Sequence, residues 1–164
     1  MTNASDIPAG IDTTTPDPIV PILGVPTHPA DYSRAAERID GWIHEQSSRY
    51  VCVCPVHSIV LGWFNREHRR ILRQSDLNTA DGMPVVWTQR LLGSRQATRV
   101  YGPTLMQWLL HDASEKGYRI GFYGGKPEAV ERLVKNLKLV YPRLNIVLQI
   151  SPPYRELTRG EDDE

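Results

Sequence analysis

Apolar residues recur along the chain with two alternating periods. A stripe at three- and four-residue spacing within residues 31–48 predicts a helix. The short β-branched run 50–54 predicts a buried strand, which Pro55 ends. Residues 59–72 return to the helical pattern, with a break near Gly62 or Asn65. The first half of the chain therefore alternates helices with strands.

The second half repeats this alternation and marks its helices with prolines and glycines. A short strand at 77–79 precedes a helix that begins at Pro84, since proline is tolerated at a first helical position. Further helices are expected from Pro103 and Pro127. Strands are expected at 118–123 and 145–150. Gly93 and Gly117 are placed to end two of the helices.

Such alternation predicts an α/β fold with a mostly parallel sheet that helices cover on both faces. A first short strand is expected at 21–26. Residues 1–21 are rich in Pro and Thr, so we expect a flexible leader there and one α/β domain over 22–164. In such folds, ligands bind beyond the carboxyl ends of the strands.

The balance of charge narrows the choice of partners. Lys and Arg together number 19, as do Asp and Glu, so the formal net charge is zero. A protein that coats nucleic acid needs a cationic surplus, so we expect no nucleic-acid partner. One segment, 65–73 (NREHRRILR), is locally basic. It fits a solvated helix face, and an anionic lipid surface or a phosphate-bearing ligand are the alternatives.

The two cysteines, Cys52 and Cys54, share one face of the predicted strand because they are two residues apart. We expect reduced thiols in a cytosolic protein, without a metal site of known ligand spacing. The N-terminal residues do not resemble a signal peptide, and no apolar run reaches the length of a membrane span.

Candidate chemistry falls in three stretches that follow predicted strands. They are residues 54–57, 79–82 and 123–128. In the third, Gly124 and Gly125 join a strand to a helix start, where free N–H groups and the helix dipole favour a diphosphate. A tight turn that needs positive φ is the alternative explanation of these glycines.

Asp81 is the candidate general base, because a carboxylate at a strand end can take a proton from an attacking hydroxyl. An Asp-Gly turn without function would give the same dipeptide. His57 is a candidate contact, or a satisfied, partly buried histidine. Arg99 precedes a helix start and could pair with a phosphate, or be a surface charge.

Four stretches occur in an order that resembles one family: LNTADGMPVVWTQRLLG, RVYGPTLM, FYGGKPE and SPPYRELTRGEDDE. Together they resemble the WecG/TagA/CpsF family of bacterial glycosyltransferases (glycosyltransferase family 26), over about residues 22–164. The resemblance implies a Rossmann-like three-layer α/β domain. It also implies inverting transfer of an N-acetylmannosamine-like hexose from a UDP donor to a polyprenyl-diphosphate-linked acceptor, in cell-envelope or exopolysaccharide synthesis.

The resemblance also implies roles for residues. It implies that Asp81 is the base, that Arg99 lies near the donor diphosphate and that no metal cofactor takes part. The location implied is cytoplasmic, with peripheral contact at the inner membrane face as an option. The expected substrate-binding residues are Cys54, His57, Thr79, Gly82, Arg99, Gly102, Tyr123, Gly124 and Gly125.

Two departures from the family pattern lead to further expectations. Cys54 stands where the family often has threonine, and thiols are poorer hydrogen-bond donors. The family usually continues with a further strand and a nucleotide-binding stretch, so we expect a domain incomplete at its C-terminus that is weakly stable or self-associating. A non-catalytic nucleotide- or partner-binding member is the main alternative. A redox or metal protein built on Cys52, Cys54 and His57 is a weaker one.

Overall fold

A computed structural model describes residues 18–153 and residue 155 of the chain. Most of the predicted leader and the residues after 155 lie outside this part. The chain divides into two compact units, residues 1–102 and 103–164, and each is described by itself. Among the described residues, no helix is long and apolar enough to cross a membrane.

The described part of the first unit begins with a β-hairpin, so the prediction of a single strand at 21–26 was wrong. Strand β1 (Val20–Ile22) pairs antiparallel with β2 (Val25–Thr27). The chain reverses between them because Leu23 and Gly24 adopt φ angles of 50° and 78°. Positive φ is natural for glycine, and two such residues in succession are typical of a hairpin turn. The pattern of apolar residues alone did not reveal that turn.

The rest of the first unit follows the predicted alternation. Helix α1 (Tyr32–His44) begins after Asp31, whose side chain accepts a hydrogen bond from the N–H of Arg34. Strand β3 (Val51–Cys54) pairs parallel with β4 (Leu77–Ala80), in register from Val51 opposite Leu77 to Cys54 opposite Ala80. Between these strands lie α2 (Val56–Phe64) and α3 (Arg66–Gln74).

Asn65 separates α2 from α3, and it is one of the two positions at which a break in the helix was predicted. Its backbone is extended, and its side chain accepts a hydrogen bond from the N–H of His68, so it caps α3. The two helices touch at Gly62, where an added Cβ would lie 3.3 Å from Leu72. Glycine therefore suits this close approach, since a larger residue would require Leu72 to shift. Helix α4 (Met83–Leu91) follows β4 directly.

A core cluster of the first unit packs against the β3–β4 pair. Cys54 and Ala80 contribute to it from the strands, and Val86 from α4. Buried polar residues join this core: the Asn78 amide donates to the carbonyls of Pro26 (2.7 Å) and Leu72 (2.6 Å). These bonds satisfy an amide that would otherwise be costly to bury.

The second unit contains a parallel strand pair with its connecting helix. Helix α5 (Gly102–Lys116) is followed by β5 (Arg119–Tyr123), α6 (Pro127–Val140) and β6 (Asn145–Ile150). Strands β5 and β6 pair parallel, with an irregularity between Ile120 and Gly121. A small core of Leu110, Ala113 and Leu144 packs here. The predicted α/β class with mostly parallel pairing is thus confirmed.

Candidate functional site

Asp81 lies at the carboxyl end of β4, where the sequence placed the candidate base. Its backbone N–H donates to the carbonyl of Cys54 at 3.1 Å, which extends the β3–β4 pairing by one residue. Gly82 follows with φ 140° and ψ 141° and precedes the first turn of α4. This backbone conformation is open only to glycine, so Gly82 turns the chain sharply and leaves Asp81 at the strand end.

Arg99 contacts the carboxylate of Asp81 directly. Its Nε and Nη2 both donate to Oδ1, at 3.3 and 3.0 Å. The Asp81 side chain is 18% exposed and that of Arg99 is 46% exposed. Oδ2 of Asp81 accepts no hydrogen bond from any described residue. One carboxylate oxygen is therefore held by a cation, and the other is available to a hydroxyl.

The loop that carries Arg99 is fixed at several points within the first unit. The N–H of Val100 donates to the carbonyl of Ala80 at 2.9 Å, and the hydroxyl of Thr98 donates to the carbonyl of Ala30 at 3.1 Å. The Arg99 guanidinium also lies over the ring of Tyr101, 4.6 Å from its centroid. These contacts set the position of Arg99 before any ligand is bound.

The other predicted substrate-binding residues of the first unit differ in solvent exposure. His57 is exposed in the first turn of α2, and Gly102 begins α5 close to Val53. Thr79 is fully buried, and its hydroxyl has no hydrogen-bond partner among the described residues. Gly82 is half-buried beside Asp81.

Cys54 is fully buried, and its thiol lies 3.6 Å from Oδ1 of Asn78. Burial, with the neighbouring Cys52 second, raises the pKa of the Cys54 thiol to about 12. The side chain therefore faces the core as a neutral thiol, and a substrate contact by Cys54 stays a prediction. No cluster of three or more metal-ligating side chains occurs in the part of the chain that the structure describes.

The remaining predicted residues belong to the second unit. Tyr123 ends β5 with an exposed ring, and the N–H of Gly124 donates to the carbonyl of Ile150 at 2.8 Å. Gly124 and Gly125 have φ angles of 105° and 78° before α6 begins. The N–H groups of Gly125, Lys126 and Glu128 donate to no described residue. This loop therefore presents open backbone donors at a helix start.

Sequence reasoning identified Asp81 and Arg99 separately but missed their contact. It left Arg99 as a phosphate partner or a surface charge, and the resemblance favoured the phosphate. No local pattern relates two residues that lie 18 positions apart. Sequence reasoning also gave no role to Tyr101, although the spacing of Arg99 and Tyr101 in RVYG is the one available signal for their stacking.

Comparison with known proteins identifies the family. The chain matches the model of the glycosyl transferase WecG/TagA/CpsF family over residues 20–164. It belongs to this family. The match includes β1 through β6 and therefore both compact units.

Two curated relatives are similar over part of their length. One is an N-acetylglucosaminyldiphosphoundecaprenol N-acetyl-beta-D-mannosaminyltransferase of Bacillus subtilis (strain 168), 30% identical over 82 residues. A protein of the same name from Bacillus spizizenii is 28% identical over 82 residues. Each match spans 50% of this chain and 32% of the relative.

Proposed function

We propose that the chain acts as an inverting glycosyltransferase of cell-envelope or exopolysaccharide synthesis. It moves an N-acetylmannosamine-like hexose from a UDP donor to an acceptor sugar on a polyprenyl diphosphate. The family match supports a glycosyltransferase. The names of the two relatives support this sugar and a lipid-diphosphate acceptor. The observation that carries the proposal is the Asp81 carboxylate at the end of β4, with one oxygen held and the other open.

In this proposal, Oδ2 of Asp81 takes the proton of the acceptor hydroxyl. The hydroxyl oxygen forms a bond to the anomeric carbon as the bond from that carbon to the diphosphate breaks. The electron pair of the broken bond leaves with UDP. General-base catalysis of this kind contributes about 10²–10⁴-fold in rate.

Arg99 has two tasks in the proposal. It holds Oδ1 through Nε and Nη2, which fixes the direction of Oδ2. Its Nη1 has no described partner and can approach the leaving diphosphate, where a cation stabilises the developing charge. Within the second unit, the open N–H groups of residues 125, 126 and 128 support the separate expectation of a phosphate-binding loop at the start of α6.

Two measurements test this function. Calorimetric titration of UDP into the folded chain should show binding at micromolar strength. A transfer assay with a UDP-hexose and a polyprenyl-diphosphate acceptor should then give product, and Asp81→Asn should lower the rate by about 10²–10⁴-fold without loss of UDP binding. Full activity of Asp81→Asn would refute the assigned base.

A non-catalytic member that binds a nucleotide or a partner is the second candidate, and the Asp81–Arg99 ion pair favours it. An ion pair of this kind can have a purely structural role, since it already satisfies part of the carboxylate. UDP binding without turnover of any UDP-sugar would support this candidate. Turnover by the parent chain would exclude it.

Self-association is also proposed. Helix α4 exposes Met83, Trp87 and Leu91, which recur at four-residue spacing and so share one face of the helix. Exposed apolar faces of this kind favour contact with another protein surface. Sedimentation velocity should show association that Trp87→Ser weakens, and a strictly monomeric parent chain would contradict it.

A further inference from the structure

The α2–α3 helix pair exposes apolar side chains that a water-soluble surface usually hides. Only Ile59 and Gly62 of α2 are buried. Phe64 is 79% exposed and Trp63 is 51% exposed. Further exposed apolar residues on α2 are Val56, Val60 and Leu61. A helix that is apolar nearly all round and yet exposed on one side indicates an interaction surface.

The next helix is strongly cationic. Helix α3 carries four arginines at the spacing i, i+3, i+4, i+7, so they share one face. The one acidic residue of α3 is Glu67. Within the described part of the chain, Arg66, Arg70 and Arg73 form no ion pair. An open depression of about 410 Å³ is lined by Gln74 and by these four arginines, Arg66, Arg69, Arg70 and Arg73.

Arg69 connects the apolar and the cationic parts. Its Nε donates to the carbonyl of Gly62 at 2.6 Å, and its Nη2 donates to the carbonyl of Trp63. Its guanidinium lies 5.7 Å from the centroid of the Trp63 ring. The C-terminal end of α2, where Trp63 and Phe64 are exposed, is therefore fixed against the arginine face of α3.

We propose that this α2–α3 face docks on an anionic phospholipid bilayer surface. Such a surface offers phosphates to the arginines and an acyl boundary to Trp63 and Phe64, the combination that interfacial helices use. A free phosphate would leave the apolar residues in water. A second copy in a symmetric contact would bring two sets of arginines together.

The docking surface is separate from the candidate base. Helix α2 begins two residues after Cys54, whose carbonyl accepts the backbone N–H of Asp81, but the exposed aromatic residues of α2 lie at its other end. Asp76, two residues after α3, donates its backbone N–H to the carbonyl of Tyr50, just before β3 begins. The end of α3 therefore lies toward the amino ends of β3 and β4, away from Asp81, and the docking proposal stands on the two helices alone.

Co-sedimentation of the 164-residue chain with vesicles tests the docking. The chain should bind vesicles that contain phosphatidylglycerol and should bind phosphatidylcholine vesicles far more weakly. Combining Arg66→Gln, Arg70→Gln and Arg73→Gln should weaken binding by about 100-fold, since each cation near an anionic surface contributes about fivefold. Raising the salt concentration from about 0.1 M to about 1 M should also weaken vesicle binding by the parent chain.

A matched control removes three cations elsewhere. Arg132→Gln, Lys135→Gln and Lys138→Gln on α6 make the same change in net charge and should leave vesicle binding within about threefold of the parent. Phe64→Ser should lower binding by about tenfold, since it removes an exposed apolar side chain. Brominated lipids should quench the fluorescence of Trp63. Trp63→Phe should therefore remove the quenching, whereas Trp87→Phe should leave it.

The outcomes separate this proposal from the enzymatic one. Asp81→Asn should bind vesicles as the parent does, so a failed transfer assay leaves this result unaffected. The proposal is overturned if no vesicle binding occurs, or if the α3 and α6 triple variants bind equally. It is also overturned if inorganic phosphate binds the depression while vesicles do not. If the α3 triple variant abolished self-association, the α2–α3 face would be assigned to contact with a second copy of the chain, and the proposal would likewise be overturned.

Discussion

The contact between Arg99 and Asp81 should be measurable as a coupling free energy. The perturbations are Asp81→Ala, Arg99→Met and the double variant, followed by chemical denaturation. Exposed ion pairs contribute about 0.2–1 kcal/mol. Here two N–H groups share one carboxylate oxygen, and the Asp81 side chain is only 18% exposed. We therefore expect a coupling near the upper end, about 1 kcal/mol.

The double-mutant cycle isolates this contact from the stacking of Arg99 on Tyr101. The loss of that stacking occurs both in Arg99→Met and in the double variant, so it cancels in the coupling term. A coupling below about 0.2 kcal/mol would show that the ion pair does not persist in solution. Asp81 would then lack the fixed orientation on which the proposed role of Oδ2 depends.

The same substitution separates two roles of Arg99 in the transfer assay. If Arg99 orients Asp81 and stabilises the leaving diphosphate, Arg99→Met should lower kcat by about 100-fold and change the donor KM much less. Arg99→Lys should recover part of kcat because a cation remains within reach of Oδ1. A tenfold higher donor KM at unchanged kcat would instead show that Arg99 only binds the donor, and the positioning role would be wrong.

Two further predictions concern the interior of the first unit. Asn78→Ala should lower the free energy of unfolding by about 3 kcal/mol, because it leaves the buried carbonyl of Leu72 and the partly buried carbonyl of Pro26 without this donor. Asn65→Ala, which removes only a helix cap, should cost about 1 kcal/mol by comparison, and equal costs would contradict the argument. For Cys54, an unfolded thiol ionises near pH 9.0 and the folded one only near pH 12. The folded state therefore holds the extra proton between these values, so stability should fall as pH rises from 9 to 12 and should be unaffected by this thiol below pH 9. Cys54→Ala should flatten that slope in urea titrations, and an unchanged slope would be inconsistent with a buried, neutral thiol.

The sequence predicted most elements because local signals mark them. Pro127 begins α6, Asn145–Ile150 is the last strand as expected, and Asn65 divides two helices at a predicted break. The hairpin at 20–27 escaped prediction because its turn depends on the backbone of Leu23, which has no sequence signature. Apolar periodicity reports burial of a segment and does not report which strand it pairs with.

Only part of the candidate site could be predicted from the sequence. Asp81 could be selected because an Asp-Gly pair followed a predicted strand, and the family resemblance strengthened that choice. Its contact with Arg99 depends on a loop held by Thr98 and Val100, which no periodicity describes. The burial of Cys54 likewise depends on which face of β3 packs on the core. These are properties of tertiary packing, so they required coordinates.

The buried bonds of Asn78 also bear on how the first unit acquires its structure. They join residues 50 and 52 positions apart, and the bond between Gln89 and Thr27 spans 62 positions. The strands of the second unit, β5 and β6, are linked by one helix within residues 119–150. Closing long loops costs entropy before the contacts form, so local topologies fold faster. The first unit should therefore acquire native hydrogen-exchange protection later than the second unit.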